Sequence, residues 1–383
     1  MLASSSESGG DADGDTTAGV PCDDDTTSVA DGEQATATDP TVTTATANRC
    51  TDRDQLTDGR RCTATTVPMQ DSPSMSAIPV ILDCDPGHDD AIALVVAARH
   101  TELLGITAVS GNAPLEATTR NAIVVRDLLG IDVPVHAGAT RPLVRPPRHA
   151  DFVHGESGLD GADLPPPSRP AESDDAVAFI IDTCRAREGV WLVPTGPLTN
   201  IALALRAAPD LGRRIAGISL MGGGSFGNTS AAAEFNLWCD PEAADIVFSY
   251  GGPLIMSGLD VTHRFQAVPS RVDTVRALSG HLAAVLADLL DFFSDSYRTN
   301  HHRIEGAAVH DPCAVLALTH PHLVSFDDVH VEIEVAGRRT AGMTVIDRRG
   351  LRAVPAPNCS MAVDIDADAA WQVVVDAISH FSR

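Results

Sequence analysis

The chain has 383 residues, of which 44% are hydrophobic and only 4% aromatic, a composition typical of a globular protein with a mainly aliphatic core. Its formal net charge is −25 and all 27 basic residues are arginine, so nucleic acid and anionic membranes are not expected as partners. No apolar run approaches the roughly 18–20 residues of a membrane span, and the N-terminus lacks the basic and apolar stretches of a secretory signal, which predicts a cytoplasmic protein.

Residues 1–77 differ from the rest of the chain, being rich in Asp, Thr, Ala, Ser and Gly and without any aromatic residue. Such a segment buries too little apolar area to offset chain entropy, which predicts a disordered, acidic low-complexity tail. Met69 and Met75 stand just before the first apolar run, so a second interpretation is a mis-assigned translation start. The eight cysteines contain no CxxC pair, which predicts reduced thiols and no zinc site, with a Cys50–Cys62 disulfide left open.

Strand-like and helix-like segments alternate from Ile78 to the C-terminus. The predicted strands are Ile78–Asp83, Leu103–Val109, Val190–Pro194, Ile215–Met221 and Pro253–Ser257, and the predicted helices are Asp89–His100, Ala117–Leu129, Leu198–Ala208 and Pro241–Tyr250. Apolar strands separated by helices predict an α/β fold over residues 78–383, with a mostly parallel, Rossmann-like sheet covered on both faces. Ligands of such sheets bind at the carboxyl ends of the strands.

The sharpest motif, ILDCDPGHDDAIAL at 81–94, lies at the first strand end. Four carboxylates, those of Asp83, Asp85, Asp89 and Asp90, crowd the junction with the next helix. Clustered like charges are unfavourable unless a cation or protons neutralise them, and oxygen ligands favour calcium or magnesium. Helix capping by Asp89 and Asp90 is the competing interpretation, but it leaves the other two acids unexplained. The motif therefore predicts a metal site.

Polar groups follow the later predicted strands as well. VPTGPLTN (193–200) brings Thr195 to a strand end, although alone it is an ordinary loop with a helix cap. MGGGSFGNTSAAAEFN (221–236) combines three glycines, which permit close backbone approach to a ligand, with Asn228, Glu234 and Asn236, whose side chains suit sugar hydroxyls. A glycine-rich surface loop without a ligand would account for this motif equally well.

Two further motifs contain histidines. AAVHDPCAV (307–315) places His310 and Asp311 in an apolar stretch, where the carboxylate needs a cation or hydrogen bonds and the imidazole can donate a proton near neutral pH. A hydrogen-bonded core histidine is the alternative at this position. HGESGLDG (154–161), with His154, predicts either a lid or a plain surface loop.

Together these segments resemble the inosine-uridine-preferring nucleoside hydrolase family. The matching motifs are DxDPGxDDAxAL from Asp83, SGN at 110–112, HGESG, PTGxLTN, MGGG followed by EFN, and HDP near the C-terminus, all in the family order. The resemblance covers residues 78–383 and implies the fold of that family. It also implies nucleoside salvage by calcium-dependent cleavage of ribonucleosides to ribose and free base, with small nucleosides as substrates. A homo-oligomer, dimer or tetramer, is expected by the same analogy.

The resemblance also assigns roles to individual residues. It implies that calcium is held by Asp85, Asp90, Asp311 and the Thr195 carbonyl, with Asp85 also the general base that activates the metal-bound water. His310 would protonate the leaving base. The substrate-binding residues that it implies are Asp89, Asn112, His154, Met221, Asn228, Glu234, Asn236, Phe293 and Tyr297.

This chain departs from the family pattern at two places. One residue fewer separates MGGG from Asn228. Where the family often has two tyrosines facing the base, this chain has Phe293 and Tyr297. The loss of one hydroxyl leaves the choice between purine and pyrimidine bases open.

Two other functions compete with this one. A haloacid-dehalogenase-type phosphatase also carries DxD after a strand, but it usually has Thr or Val where Pro86 stands and a lysine on the phosphate, and this chain has no lysine. A non-catalytic nucleoside sensor would be expected to lack Asp85 or His310, and both are present. Release of free ribose, rather than phosphate or nothing, separates the three.

Overall fold

The computed structural model describes residues 77–300, 305–351 and 355–382, and the side chain of Asn300 is not described. All but the last residue of the predicted N-terminal tail, together with the Cys50–Cys62 pair, lies outside these ranges. The strands are β1 Pro79–Cys84, β2 Glu102–Ala108, β3 Val135–Ala137, β4 Trp191–Pro194, β5 Gly217–Met221, β6 Leu254–Ser257, β7 Gln266–Ala267, β8 Ala307–Ala308, β9 Val324–Ile333, β10 Thr344–Asp347 and β11 Cys359–Ile365.

Helices connect most of these strands. They are α1 His88–His100, α2 Leu115–Leu129, α3 Asp151–His154, α4 Ala176–Ala186, α5 Thr199–Ala207, α6 Phe235–Cys239, α7 Pro241–Phe248, α8 Leu259–Thr262, α9 Pro269–Arg276, α10 His281–Asn300, α11 Pro312–Thr319 and α12 Ala367–Phe381. Every strand and helix predicted from the sequence is present, with ends shifted by a few residues. Within the described ranges no helix is both long and apolar enough to cross a membrane.

Nine strands form one sheet in the order β10-β9-β11-β6-β5-β4-β1-β2-β3. All neighbouring pairs from β11 to β3 are parallel, whereas β9 is antiparallel to both of its neighbours. The predicted mostly parallel α/β fold is confirmed. The antiparallel edge was not predicted. The chain runs outward from β1 through β2 to β3 and then returns to β4 on the other side, so the strand order reverses beside β1.

Strand β1 shows why the sheet is covered on both faces. Val80, Leu82 and Cys84 point into one apolar cluster with α1 and α12, and Ile81 points into the opposite cluster with α5 and α7. All four side chains are fully buried. Since side chains alternate between the faces of a strand, an uninterrupted apolar run is what burial on both faces requires. The carboxyl end of β1 therefore opens between two helical layers.

Candidate active site

The candidate site lies at the carboxyl ends of the central strands, where the strand order reverses and where such sheets form a crevice. Asp85 follows β1, Asn112 follows β2, Thr195 follows β4 and Met221 ends β5. Asp311 reaches the same place from the turn between β8 and α11. These residues are separated by up to 226 positions in sequence, and the parallel topology brings them together.

A cavity of about 430 Å³ opens above these strand ends, within the size range of small-molecule pockets. It is lined by Asp89, Asn112, Ala150, Phe152, Val153, His154, Thr195, Met221, Asn228, Thr229, Glu234, Phe235, Asn236, Phe293, Tyr297, His310 and Asp311. All the site residues expected from the sequence line this cavity except Asp85 and Asp90, which are fully buried close to it. The phosphatase alternative is disfavoured, because no arginine is among the described lining residues.

Three carboxylates form a compact acidic group. Asp89, Asp90 and Asp311 each place an oxygen within 4.8 Å of the other two. Burial, together with the charge of Asp90, raises the pKa of Asp89 to about 8, and burial raises the pKa of Asp90. The pKa of Asp311 lies well above its usual range because the group is buried and faces the charges of Asp89 and Asp90. A cation among these groups would favour their charged forms and so oppose all three shifts.

Asp85 lies beside this group. Its Oδ2 accepts a hydrogen bond from the Asn112 amide at 2.7 Å, whereas its buried Oδ1 has no hydrogen-bond partner in the described part of the chain. Burial and the charge of Asp90 raise the pKa of Asp85 well above normal. A Cβ on Gly111 would overlap Asp85 Oδ2 and a Cβ on Gly196 would overlap Asp85 Oδ1, so glycine at both positions leaves room for the carboxylate.

These observations fit a hard divalent cation. The donor set consists of buried carboxylate oxygens and a nearby backbone carbonyl. Asp85 Oδ1 has no hydrogen-bond partner among the described residues, and no cationic side chain is among the causes of the shifted pKa values. Part of the capping interpretation also holds, because Asp90 Oδ2 accepts from the Gly87 amide at 2.9 Å. Asp90 Oδ1 accepts from the Thr195 hydroxyl at 2.8 Å, which joins the ends of β1 and β4.

The predicted cluster of four acids around β1 needs one correction, which concerns Asp83. Its Oδ1 accepts hydrogen bonds from Thr107 at 2.5 Å and from Asn200 at 2.8 Å, tying β1 to β2 and α5. It does not line the cavity, and burial raises its pKa to about 7. Asp83 therefore holds the sheet together, and Asp311 is the additional acid of the site.

The glycine-rich segment after β5 forms one wall of the cavity. Gly223 and Gly224 have φ angles of 73° and 144°, which favour glycine. Glu234 caps α6 by accepting from the backbone amides of Asn236 and Leu237, and it also accepts from the Gly223 amide. Burial raises its pKa to about 6. The side-chain Nδ2 of Asn236 donates to the Thr195 carbonyl at 2.8 Å, which fixes the orientation of that carbonyl. Asn228 is exposed on the rim.

His310 lies on the opposite wall between two hydroxyl groups. Its Nε2 is 2.7 Å from the Tyr297 hydroxyl and its Nδ1 is 2.7 Å from the Thr262 hydroxyl. The His310 amide donates to Asp89 Oδ2 at 3.2 Å, so the residue is anchored to the acidic group. Phe293 packs edge-on against Tyr297, with ring centroids 5.0 Å apart. Thr262, in α8, was not anticipated, because nothing in its sequence neighbourhood indicates a contact 48 residues away.

A further group of aromatic rings surrounds His154, at the end of α3. The rings of His88, His154 and Phe293 stack with centroids 5.2 Å apart in each pair. His88 Nδ1 lies 2.9 Å from His154 Nδ1, and His88 Nε2 lies 2.8 Å from the Asp160 carbonyl. His88 was also missed by the sequence analysis, although it stands inside the DPGHDD motif.

Comparison with known proteins identifies the family of this chain. Residues 80–372 match the family described as inosine-uridine preferring nucleoside hydrolase. The pyrimidine-specific ribonucleoside hydrolases RihA of Enterobacter sp. (strain 638) and Shewanella sp. (strain ANA-3) are 44% and 45% identical over 311 and 309 residues. The alignments cover 80% and 79% of this chain and 99% and 97% of those relatives. The solved purine-preferring ribonucleoside hydrolase from Gardnerella vaginalis is 35% identical with a TM-score of 0.75, covering 79% of this chain and 99% of that one. The chain therefore belongs to the inosine-uridine preferring nucleoside hydrolase family, and its enzyme class is that of the ribonucleoside hydrolases.

Proposed function

We propose that this ribonucleoside hydrolase depends on calcium, held by Asp85, Asp90, Asp311 and the Thr195 carbonyl. The observation that carries the proposal is the concentration of buried carboxylates at the end of β1, with no arginine among the lining residues described. Calcium, when bound there, supplies a Lewis acid that lowers the pKa of water and orients sugar oxygens. The number and type of oxygen donors suit a hard cation.

Asp85 is proposed as the general base. Its Oδ1 is buried and makes no hydrogen bond within the described residues, so it is available to take a proton from the attacking water. Cleavage of an N-glycosidic bond builds positive charge on the ribosyl ring, and ionised carboxylates close to the cavity stabilise that charge. We propose that Asp89, Asn112, Glu234 and Asn236 hold the ribose hydroxyls.

His310 is proposed as the proton donor to the leaving base. Its contacts with Tyr297 and Thr262 fix the imidazole plane, and both His310 and Tyr297 line the cavity. The base departs more easily when it is protonated, because it then leaves as a neutral molecule. Met221, Asn228, His154 and Phe293 line the rest of the cavity and are proposed to contact the substrate.

For the base, we propose a preference for pyrimidine ribonucleosides. The support is that the relatives named pyrimidine-specific are 44% and 45% identical, whereas the purine-preferring structure is 35% identical. The hydrogen-bonded His310–Tyr297 pair supplies a polar wall against which a small base can be placed. Comparison of kcat/KM for uridine, cytidine, inosine and guanosine tests the preference, and a higher value for either purine would contradict it.

Two further proposals concern the bounds of the catalytic domain and the oligomeric state. We propose residues 78–383 as the catalytic domain, since the family match spans 80–372. We also propose a homo-oligomer, by analogy with the family alone. Light scattering of the purified protein would return a monomer mass if that second proposal is wrong.

The reaction is tested by release of ribose from uridine with the purified protein in the presence of calcium. Asp85→Asn keeps the size of the side chain and removes the base, so we expect kcat to fall by about 10²–10⁴-fold. Asp83→Asn is the matched control, because it makes the same change two residues away at a carboxyl group that only accepts hydrogen bonds from Thr107 and Asn200. We expect it to retain activity within a few-fold.

Three results would contradict the proposal. Tight binding of uridine without ribose release would indicate a nucleoside sensor. Release of phosphate from a phosphorylated substrate, with none of ribose, would indicate a phosphatase. Equal activity of Asp85→Asn and the wild type would exclude Asp85 as the base.

A further inference from the structure

His88 connects the start of α1 to the HGESGLDG loop that follows α3. Its Nε2 lies 2.8 Å from the carbonyl oxygen of Asp160, and its Nδ1 lies 2.9 Å from Nδ1 of His154. A carbonyl oxygen only accepts hydrogen bonds, so the Nε2 of His88 must carry a proton. That assignment determines the direction of the other hydrogen bond.

The surroundings of His88 favour a neutral ring. The side chain is fully buried, and the rings of Phe292 and Phe293 stack with it at centroid distances of 5.3 and 5.2 Å. No carboxylate oxygen hydrogen-bonds to its imidazole in the part of the chain that the structure describes, and a buried charge without such a partner is costly. With its one proton on Nε2, neutral His88 has a lone pair on Nδ1.

His154 must then donate across the 2.9 Å contact, so its own proton lies on Nδ1. The His88 backbone amide also points at this nitrogen, but at 3.4 Å it is too far away to compete with the shorter contact. His154 lines the cavity, and no protein group among the described residues hydrogen-bonds to its Nε2. The remaining ring nitrogen is thus an acceptor available to a ligand.

We propose that His88 is a positioning residue that holds His154 in the Nδ1–H tautomer, so that His154 Nε2 accepts a hydrogen bond from one hydroxyl of the substrate ribose. The proposal rests on ribonucleosides being the substrates. It also separates the two cavity histidines by role. Neutral His154 carries no proton on its free nitrogen, so it cannot protonate the departing base, and that task is left to His310.

The loop geometry supports a fixed, pre-formed acceptor. Asn121 Nδ2 donates to the Ser157 carbonyl at 2.8 Å and to the Pro86 carbonyl at 3.1 Å, which ties the loop to the same turn that precedes His88. Asp160 accepts from the Ser157 and Glu156 amides and fixes the loop internally. The carbonyl that orients His88 is therefore itself held in place.

Two substitutions separate the hydrogen bonds of His88. His88→Asn keeps an acceptor oxygen close to the position of Nδ1 and loses the donor to Asp160. His88→Gln keeps a donor close to the position of Nε2 and loses the acceptor for His154. For each protein, kcat/KM is measured with uridine and with 2′-, 3′- and 5′-deoxyuridine, and thermal unfolding is recorded to account for general destabilisation.

The expected result is selective. The wild type should prefer uridine to the analogue that lacks the contacted hydroxyl, and His88→Gln should reduce that preference by roughly 3- to 10-fold, the value of one hydrogen bond. His88→Asn should restore most of it, even if both variants are equally destabilised. If the two variants lower the rates of all four substrates in parallel, His88 has only a structural role and the proposal is overturned.

A second measurement does not depend on turnover. In ¹⁵N-histidine-labelled protein, the nitrogen shifts of His154 and His88, assigned with His154→Gln and His88→Gln, should show Nδ1–H for His154 and Nε2–H for His88. A protonated Nε2 on His154 would overturn the proposal. Failure of the wild type to release ribose, with these tautomers observed, would refute the proposed function and leave the tautomer assignment supported.

Discussion

Gly196 lies directly after the proposed calcium ligand Thr195, and Gly196→Ala tests whether the position of Asp85 controls activity. A Cβ at this position would lie 2.8 Å from Cγ of Asp85 and 3.0 Å from Cγ1 of Val109, and it would overlap Asp85 Oδ1. Carbon atoms in ordinary contact are about 3.5–4.0 Å apart, so the carboxylate must retreat by roughly 0.7–1 Å. The oxygen that moves is the one proposed to accept the proton of water.

Displacement of a reacting group by about 1 Å can lower a rate by about 10²-fold, and kcat/KM for uridine is expected to fall by that factor. The cost in folding should be smaller, about 1–3 kcal/mol, the usual range for overpacking a buried site. Activity should therefore fall far more than stability. This difference distinguishes displacement of Asp85 from general unfolding.

Ribose release and urea-induced unfolding should be measured together for wild type, Gly196→Ala and Gly212→Ala. Gly212 is the matched control, since a Cβ there would meet its nearest atoms, in Tyr250, at 3.5 Å, which is ordinary contact. We expect Gly212→Ala to behave as wild type in both assays. Wild-type kcat/KM in a folded Gly196→Ala protein would refute the placement of Asp85 at the centre of the chemistry.

Three further predictions concern the metal, the leaving group and acid stability. Chelation should lower the melting temperature more at pH 8.5 than at pH 5.5. Because the clustered carboxyl groups have raised pKa values, the metal-free folded protein binds more protons than the unfolded chain, and its stability falls as pH rises. An equal drop in melting temperature on chelation at both pH values would contradict this. Tyr297→Phe removes the hydroxyl that contacts His310 Nε2 and should lower kcat for uridine by about tenfold, with little change in thermal stability. An unchanged kcat would show that the hydroxyl has no part in leaving-group activation. Burial and neighbouring His320 lower the pKa of His100 to about 4, so the unfolded chain binds more protons between pH 6.5 and 4 and stability is lost as pH falls through that range. His100→Gln should therefore lose less free energy of unfolding between pH 7 and 5 than wild type. An equal loss would exclude this histidine as a cause.

The parallel part of the fold was predictable because its signal is local. The run from Ile78 to Leu82 is uniformly apolar and ends at Asp83, and such a run is typical of a strand covered on both faces. The antiparallel edge was not predicted. In β9 buried and exposed residues are mixed, and its pairing with β11 joins residues that are 30 to 41 positions apart in sequence.

The site was predictable in part, for a similar reason. Carboxylates adjacent in sequence, such as Asp89 and Asp90, are visible as a charge cluster, and Asp311 was identified through the family resemblance. Asp83 seemed equivalent to them, but its partners Thr107 and Asn200 become neighbours only in the folded sheet. Short-range patterns cannot distinguish a carboxylate that binds a ligand from one that joins strands.

The contacts of His88 and His310 show most clearly that short-range sequence patterns miss partners that are distant in sequence. The sequence places His88 beside two acids but gives no indication of the Asp160 carbonyl, 72 residues further on, that determines where its proton lies. Thr262 likewise becomes a neighbour of His310 only in the folded chain, where its hydroxyl lies 2.7 Å from His310 Nδ1. Residues that orient other residues leave little trace in spacing or composition, because their partners are distant in sequence.

The central claim is that acids from the end of β1 and from Asp311 act together around one divalent ion. The most direct test is a calcium titration of protein stripped with a chelator, following bound calcium by calorimetry and ribose release from uridine in the same samples. We predict no release from the stripped protein and a rise in activity that follows binding of one calcium ion per chain. Full activity in the stripped protein, or calcium binding without any change in ribose release, would contradict it.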